Sequence, residues 1–208
     1  MKLLHIDAGI TGPGSVSRQL SAAAVEALTR IAPGLEAIRR DLDADPIPHL
    51  DSGNVASLRP AGGVVVDPEA ARSADILNEF LEADVVVIGA PMYNFGIPSQ
   101  LKAWFDRILV AGRTFRYTAA GPEGLAGGKA VIVASARGGF YGPGTPQADI
   151  DFHEPHLKAL FRMIGIDDVT ILRAEGVAVS PEHRQAALDA AFAAAPKLAA
   201  ELAPALAA

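Results

Sequence analysis

Val85-Val-Val-Ile-Gly-Ala-Pro-Met-Tyr-Asn-Phe-Gly-Ile-Pro98, running into Ser99-Gln-Leu-Lys-Ala-Trp-Phe-Asp-Arg107, carries the change of structure on which the fold turns. Val85 to Ile88 is an unbroken apolar run, as expected of a buried strand in a parallel sheet. Glycine, proline, amide and aromatic groups then interrupt the run before a helical period begins. Prolines fix φ and glycines permit close backbone approach, so the amides between Pro91 and Ile97 are expected to be held in place. Such a loop suits a flat ring with polar edges, because ring nitrogens and carbonyls need partners already in position.

Outward from this stretch, short apolar runs alternate with helical patterns, the mark of βαβ units around a parallel sheet. Strands are expected at Lys2–Asp7, Glu36–Asp41, Asp84–Gly89, Lys129–Ser135 and Val169–Arg173. Helices are expected at Ser17–Ile31, Pro68–Ala83, Pro98–Val110, Phe152–Ile164 and Pro181–Leu202. Their apolar faces read Leu20, Ala24, Leu28 and Ile31 in the first, Ala74, Leu77, Phe80 and Leu81 in the second. In the third, Leu101, Trp104, Phe105 and Ile108 line up, which assigns Trp104 and Phe105 to the core. The fold class is α/β, a three-layer doubly wound sheet whose cleft lies at the carboxyl ends of the strands. Three loops rich in Gly, Ser and Pro fall there: Ala8–Val16, Ala90–Ile97 and Ser135–Thr145. Asp43–Gly63 reads as a long irregular connection forming an interface or a cleft wall.

At 208 residues the chain suits one α/β domain spanning 1–208. A net charge of −6 without a polybasic block argues against nucleic acid and anionic membrane as partners. The absence of cysteine excludes disulfides, thiolate metal sites and cysteine nucleophiles. No signal-peptide pattern precedes the first strand, and no apolar run approaches the roughly 20 residues that span a bilayer. A soluble, cytoplasmic protein is the expectation.

The first loop reads Asp7-Ala-Gly-Ile-Thr-Gly-Pro-Gly-Ser-Val-Ser-Arg18. It joins a strand to a helix, so backbone amides and the Ser15 and Ser17 hydroxyls point at whatever sits on the helix end, a natural place for phosphate. No Gly-Lys-Ser/Thr follows, which disfavours a nucleoside triphosphate. A monoester needs only neutral donors, with Arg18 close by. Ser15 serving as a helix cap alone is the plain alternative. Gly12-Pro-Gly14 imitates a dinucleotide fingerprint, with Asp41 where a ribose-binding acid would lie, but the third glycine is missing. No GxSxG elbow exists for a serine hydrolase. Asp7 reads as a loop-capping carboxylate.

In the third loop, Ser135-Ala-Arg-Gly-Gly-Phe-Tyr-Gly-Pro-Gly144, Arg137 offers positive potential while Gly138 and Gly139 allow amides to approach a ring edge. Asp149-Ile-Asp-Phe-His-Glu-Pro-His156 crowds carboxylates and two histidines. It reads as a helix start with Asp151 capping rather than as a metal site, so no metal is expected. His5, His49 and His183 show no evident partner.

Pro91-Met-Tyr-Asn-Phe95 with Ile97-Pro98 and a Trp-bearing helix resembles the FMN-dependent NADH azoreductase and NADH:quinone oxidoreductase family. The similarity extends through Phe115-Arg-Tyr117, Gly121-Pro-Glu-Gly124, Arg137-Gly-Gly139 and Ala174-Glu-Gly176. The resemblance implies a flavodoxin-like fold with a five-stranded parallel sheet ordered 2-1-3-4-5. It implies FMN as cofactor, one per subunit, contacted by Gly9, Ser15, Val16, Ser17, Met92, Tyr93, Asn94, Phe95, Ala136, Arg137, Gly138 and Gly139. The family has serine at the position of Gly9 and at that of Ala136, which leaves backbone contacts there. Tyr117 and Met163 match positions that border the acceptor site, partly from the partner subunit of a homodimer; Met163 also fits plain helix core. NADH or NADPH is the implied donor, and quinones and aromatic azo compounds are the acceptors of a two-electron ping-pong cycle. No catalytic side chain is required, because the flavin carries the chemistry. The alternative is a flavodoxin-type electron carrier serving a protein partner.

Overall fold

A computed structural model describes residues 1–55 and 68–206 of the chain. Among the described residues seven strands and five α-helices follow one another as β1 (Lys2–Asp7), α1 (Val16–Ile31), β2 (Glu36–Asp41), α2 (Pro68–Glu82), β3 (Val85–Pro91), α3 (Ser99–Ile108), β4 (Phe115–Thr118), β5 (Gly121–Gly124), β6 (Ala130–Ala136), α4 (Glu154–Met163), β7 (Val169–Ala174) and α5 (Pro181–Leu206). Five strands form one parallel sheet in the order β2-β1-β3-β6-β7, and β4 with β5 forms a separate antiparallel hairpin. The sequence places the five parallel strands and misses the hairpin. Of the expected Asp43–Gly63 connection, residues 56–63 lie outside the described residues.

Side-chain alternation along the strands divides the core in two. Leu3, Val85, Val87, Ile132 and Leu172 face α1 and α5, whereas Leu4, Ile6, Val86, Ile88, Val131 and Val133 face α2, α3 and α4. The central strand β3 is buried throughout, as its unbroken apolar run requires. The edge strand β2 carries Glu36-Ala-Ile-Arg-Arg-Asp41 and is mostly exposed, and charge there discourages pairing with another chain. Leu101, Trp104, Phe105 and Ile108 are fully buried, with Trp104 edge-on to Phe80 and Phe105. Two expected core positions fail: Ile31 is exposed at the end of α1, and α2 is turned so that Ser73 and Ile76 are buried while Ala74 faces outward. No helix among the described residues is long and apolar enough to cross a membrane.

The hairpin packs where α4 ends. Ala126 N donates to Ile164 O at 2.9 Å, and a Cβ at Gly124 would stand 2.0 Å from the Gly165 nitrogen. Backbone on both sides leaves nothing flexible to yield. Gly124→Ala is therefore expected to destabilise the chain by about 1–3 kcal/mol, an overpacking cost. A lower urea midpoint at unchanged m value is the expected readout. An unaltered midpoint would mean that the two backbones do not meet so closely.

Candidate functional site

All five sheet strands run the same way, so the segments after their carboxyl ends share one crest and the helices start there. The loop after β3 contacts both neighbours. Tyr93 Oη accepts from the Ile10 amide of the first loop at 3.1 Å. The Met92 amide donates to the Ala136 carbonyl at 2.8 Å, at the start of the third loop. Phe95 lies edge-on to Tyr141, and its carbonyl accepts from the Phe152 amide at 3.1 Å. The structure thus brings Gly9, Ser15, Val16, Ser17, Met92, Tyr93, Asn94, Phe95, Ala136, Arg137, Gly138 and Gly139 onto three adjoining loops.

Local chemistry fixes each loop. Tyr93 and Gly96 exchange two backbone hydrogen bonds, of 3.0 and 3.1 Å, around a tight turn in which Asn94 and Phe95 both have positive φ, 47° and 70°. This is the pattern of a type I′ turn. Asparagine tolerates the left-handed region, but phenylalanine does so at a cost of about 1–3 kcal/mol, of the kind found at functional sites. The Asn94 and Phe95 amides then project without a partner among the described residues.

In the first loop Ser15 and Ser17 are buried, and their hydroxyls lie 3.1 Å apart at the start of α1. Ser15 accepts from the Arg18 amide at 3.5 Å, a cap at the limit of hydrogen bonding, so the cap accounts for little of that hydroxyl's capacity. A Cβ on Gly9 would stand 2.4 Å from Ser15 Oγ and 3.1 Å from Ser17 Oγ. Gly9 therefore does more than offer an amide: its missing side chain makes the space that the serine pair occupies.

Arg18 corrects the sequence reading. Its guanidinium binds Asp41 in a two-pronged pair of 2.5 and 2.6 Å and donates from Nε to the Gly9 carbonyl at 2.7 Å. It braces the loop instead of meeting a phosphate. Asp41 is held well below the usual carboxylate range, chiefly by Arg18 and against the opposing effect of burial, with the Ala44 and Asp43 amides adding to the shift. Asp7 does not cap the loop either. It is buried and accepts from Ser21 Oγ at 2.8 Å and from Arg39 at 2.7 and 3.1 Å, tying β1 to α1 and β2. Burial pushes its carboxyl up, but His5, Arg39 and Ser21 outweigh that and hold it low. His5 has a partner after all in Ser21 Oγ at 3.0 Å, and His183 has one in Ser180 Oγ at 3.0 Å.

Arg137 also departs from the reading of the sequence. Its side chain is 0% exposed and turned into the protein, with Asp151 at 3.0 Å, Glu175 at 3.2 Å and Glu154 closer still. Three carboxylates compensate its charge, so it offers no free positive potential at the crest. The backbone beyond it is well placed. The Arg137, Gly138 and Gly139 carbonyls accept from Val177, Ala178 and Gly176, and the Gly138 and Gly139 amides have no partner among the described residues. Asp151 accepts from the His153 and Glu154 amides at 3.0 and 3.2 Å, the capping role read from the sequence. His153 is fully buried beneath this loop.

Tyr117 and Met163 lie elsewhere. α4 runs antiparallel to the strands, so its last residue, Met163, sits at the edge opposite the crest, beside the hairpin that carries Tyr117. Tyr117 is 75% exposed and Met163 is half-buried.

The sequence profile of a family described as having a flavodoxin-like fold matches residues 1–198. The chain belongs to this family. Within it, an FMN-dependent NADH:quinone oxidoreductase of Xanthomonas oryzae pv. oryzae is 57% identical over 193 residues, covering 93% of this chain and 94% of the relative. FMN-dependent NADH:quinone oxidoreductase 2 of Bradyrhizobium diazoefficiens is 54% identical over 199 residues, covering 95% and 98%. Among solved structures, an FMN-dependent NADH-azoreductase from Bacillus anthracis, in complex with FMN, aligns with a TM-score of 0.82 at 31% identity, covering 96% of this chain and all of that one. The azoreductase AzrA aligns at 0.86 and 28% identity, covering 97% and 100%. Sequence reasoning named the three loops of this flavodoxin-like crest but missed Ile10, Tyr141, Phe152 and Glu175, which join them. Only Glu175 left a signal, in Ala174-Glu-Gly176.

Proposed function

We propose that the chain is an FMN-dependent NADH:quinone oxidoreductase that also reduces aromatic azo compounds. The observation that carries the reading is the chemistry of the crest: nearly everything it presents is a donor. The Ser15 and Ser17 hydroxyls and the first-turn amides of α1, including those of Val16 and Ser17, suit a phosphate at a helix N-terminus. The amides of Asn94, Phe95, Gly138 and Gly139, without a partner among the described residues, suit a ring whose edge is rich in nitrogen and carbonyl acceptors. The Asn94 side chain is exposed and offers both a donor and an acceptor. FMN fits this donor set. The relatives named for FMN, NADH and quinones, more than half identical to this chain, support the same assignment.

In this reading Gly9, Ser15, Val16 and Ser17 hold the phosphate, Met92 to Phe95 bound the ring, and the Gly138 and Gly139 amides meet its edge, on a loop anchored by the engaged backbone of Ala136 and Arg137. Arg137 anchors the loop rather than offering charge to the ring. When bound, FMN supplies the two-electron redox chemistry between a nicotinamide donor, NADH or NADPH, and the acceptor. The protein binds and orients flat molecules against that ring. The exposed Phe95, Phe140 and Phe152 are suited to stacking and to excluding water.

A homodimer completes the proposal. Tyr117 and Met163 stand at the far edge of their own subunit, so they border an acceptor pocket only when a second copy presents them. Light scattering is expected to give twice the chain mass. The purified protein is expected to show flavin absorption bands that bleach on anaerobic NADH addition and return with benzoquinone. A colourless protein that binds no added FMN would overturn the assignment.

A further inference from the structure

Glu175 follows β7, outside the three loops assigned to the cofactor, yet it holds one of them. Its Oε1 accepts from the Tyr141 amide at 2.8 Å and the Gly142 amide at 2.9 Å, and Arg137 Nη1 donates to the same oxygen at 3.2 Å. Gly142 makes the room, since a Cβ there would stand 2.9 Å from Glu175 Oε2.

Behind this loop lies a small charge system. Glu154 is engaged by Arg173 through bonds of 2.8 and 2.5 Å as well as by Arg137. Asp151 lies 3.0 Å from Arg137 Nη2, Glu175 accepts from Nη1, and Nε donates to Ser135 Oγ at 3.1 Å. Three carboxylates thus face two guanidiniums, with His153 between them as a neutral ring, and one negative charge is unbalanced. Of these carboxylates Glu175 lies against the loop itself, on the Tyr141 and Gly142 amides just beyond Gly139.

Building on the FMN assignment, we propose that Glu175 is a positioning residue that fixes the Arg137–Gly142 loop and whose charge lowers the electron affinity of the flavin held there. Reduction adds electron density to the flavin, and the net negative charge of this group opposes it. A compensated Arg137 therefore makes the reduced cofactor a stronger donor to acceptors than a free guanidinium would. Glu175→Gln separates the two roles, because the amide oxygen still accepts from Tyr141 and Gly142 while the charge is lost. Glu175→Ala removes both.

The experiment titrates each apo-protein with FMN by fluorescence quenching, then measures the flavin potential of each holoprotein against a reference dye. Glu175→Gln is expected to bind FMN within about threefold of wild type and to raise the reduced-to-oxidised ratio at a fixed poise about tenfold, ~30 mV for a two-electron couple. Glu175→Ala is expected to weaken FMN binding at least about tenfold, about 1.4 kcal/mol. Asp151→Asn removes a different charge from the same guanidinium and keeps an equally good helix cap, so it must shift the potential in the same direction. It carries the test if Glu175→Gln fails to fold. An unchanged potential in a charge-neutralised variant that binds FMN overturns the electrostatic role, and wild-type affinity in Glu175→Ala overturns the positioning role. Failure of the wild-type protein to bind FMN is a different result and overturns the cofactor assignment itself.

Discussion

Replacing Ser15 and Ser17 together by alanine is expected to weaken FMN binding by on the order of 10²- to 10⁴-fold. Each hydroxyl given to a phosphate makes a charge-assisted hydrogen bond worth about 1.5–3 kcal/mol, and each 1.4 kcal/mol is tenfold in affinity. Capping alone predicts something else. Loss of the Ser15 cap costs about 0.5–2 kcal/mol of stability and leaves the affinity of the folded protein untouched. Measuring FMN affinity and urea stability on the same variant separates the two, and wild-type affinity in a destabilised variant would leave Ser15 a cap and nothing more. Gly9 gives the complementary test. Because a Cβ there collides with Ser15 Oγ, Gly9→Ser is expected to weaken binding, and Ser15→Ala in the same chain is expected to recover part of the loss.

The parts of this site that could be read in the sequence are those set by local chemistry. Val85 to Ile88 could only be a strand buried on both faces, and the glycines, prolines and serines after β1, β3 and β6 could only be loops, so the crest followed from the fold. The direction of a long charged side chain is a different matter. Arg18 and Arg137 look like ligands for an anion, since a guanidinium beside a glycine-rich loop commonly is one. Their true partners are Asp41 for the first and Asp151, Glu154 and Glu175 for the second, carboxylates from segments the sequence cannot place beside them. The β4–β5 hairpin was hidden for a related reason. Its strands are four residues each and largely exposed, so no apolar alternation announces them, and they are held by backbone contact between Gly124 and Gly165. Ile31 and Ala74 erred by a fraction of a helical turn, which periodicity alone does not resolve.

Acid is expected to destabilise this protein through His153, by about 3 kcal/mol once the pH has fallen well below the folded pKa. Burial, reinforced by the neighbouring Arg137, pushes the His153 ring from its ordinary 6.5 down to about 4, against Glu154, Asp151 and the Ala90 backbone, which pull the other way. Among the described residues neither ring nitrogen reaches a partner in hydrogen-bonding geometry. Between pH 6.5 and 4 the unfolded chain therefore binds more protons at this position than the folded one, and stability falls as the pH falls through that window. Glu154 acts lower. Burial raises its carboxyl, but Arg173 and Arg137 hold it below the ordinary 4.5, so the stability it contributes is lost only as the pH drops through that depressed value. His153→Leu isolates the upper window. Leucine fills a similar space and forfeits no hydrogen bond, so stability at pH 8 is expected to change by less than about 1.5 kcal/mol. At pH 4.5 the variant is expected to be the more stable protein. Urea unfolding of the two proteins at both pH values cancels what the other groups contribute, and parallel pH dependences would place the acid sensitivity outside His153.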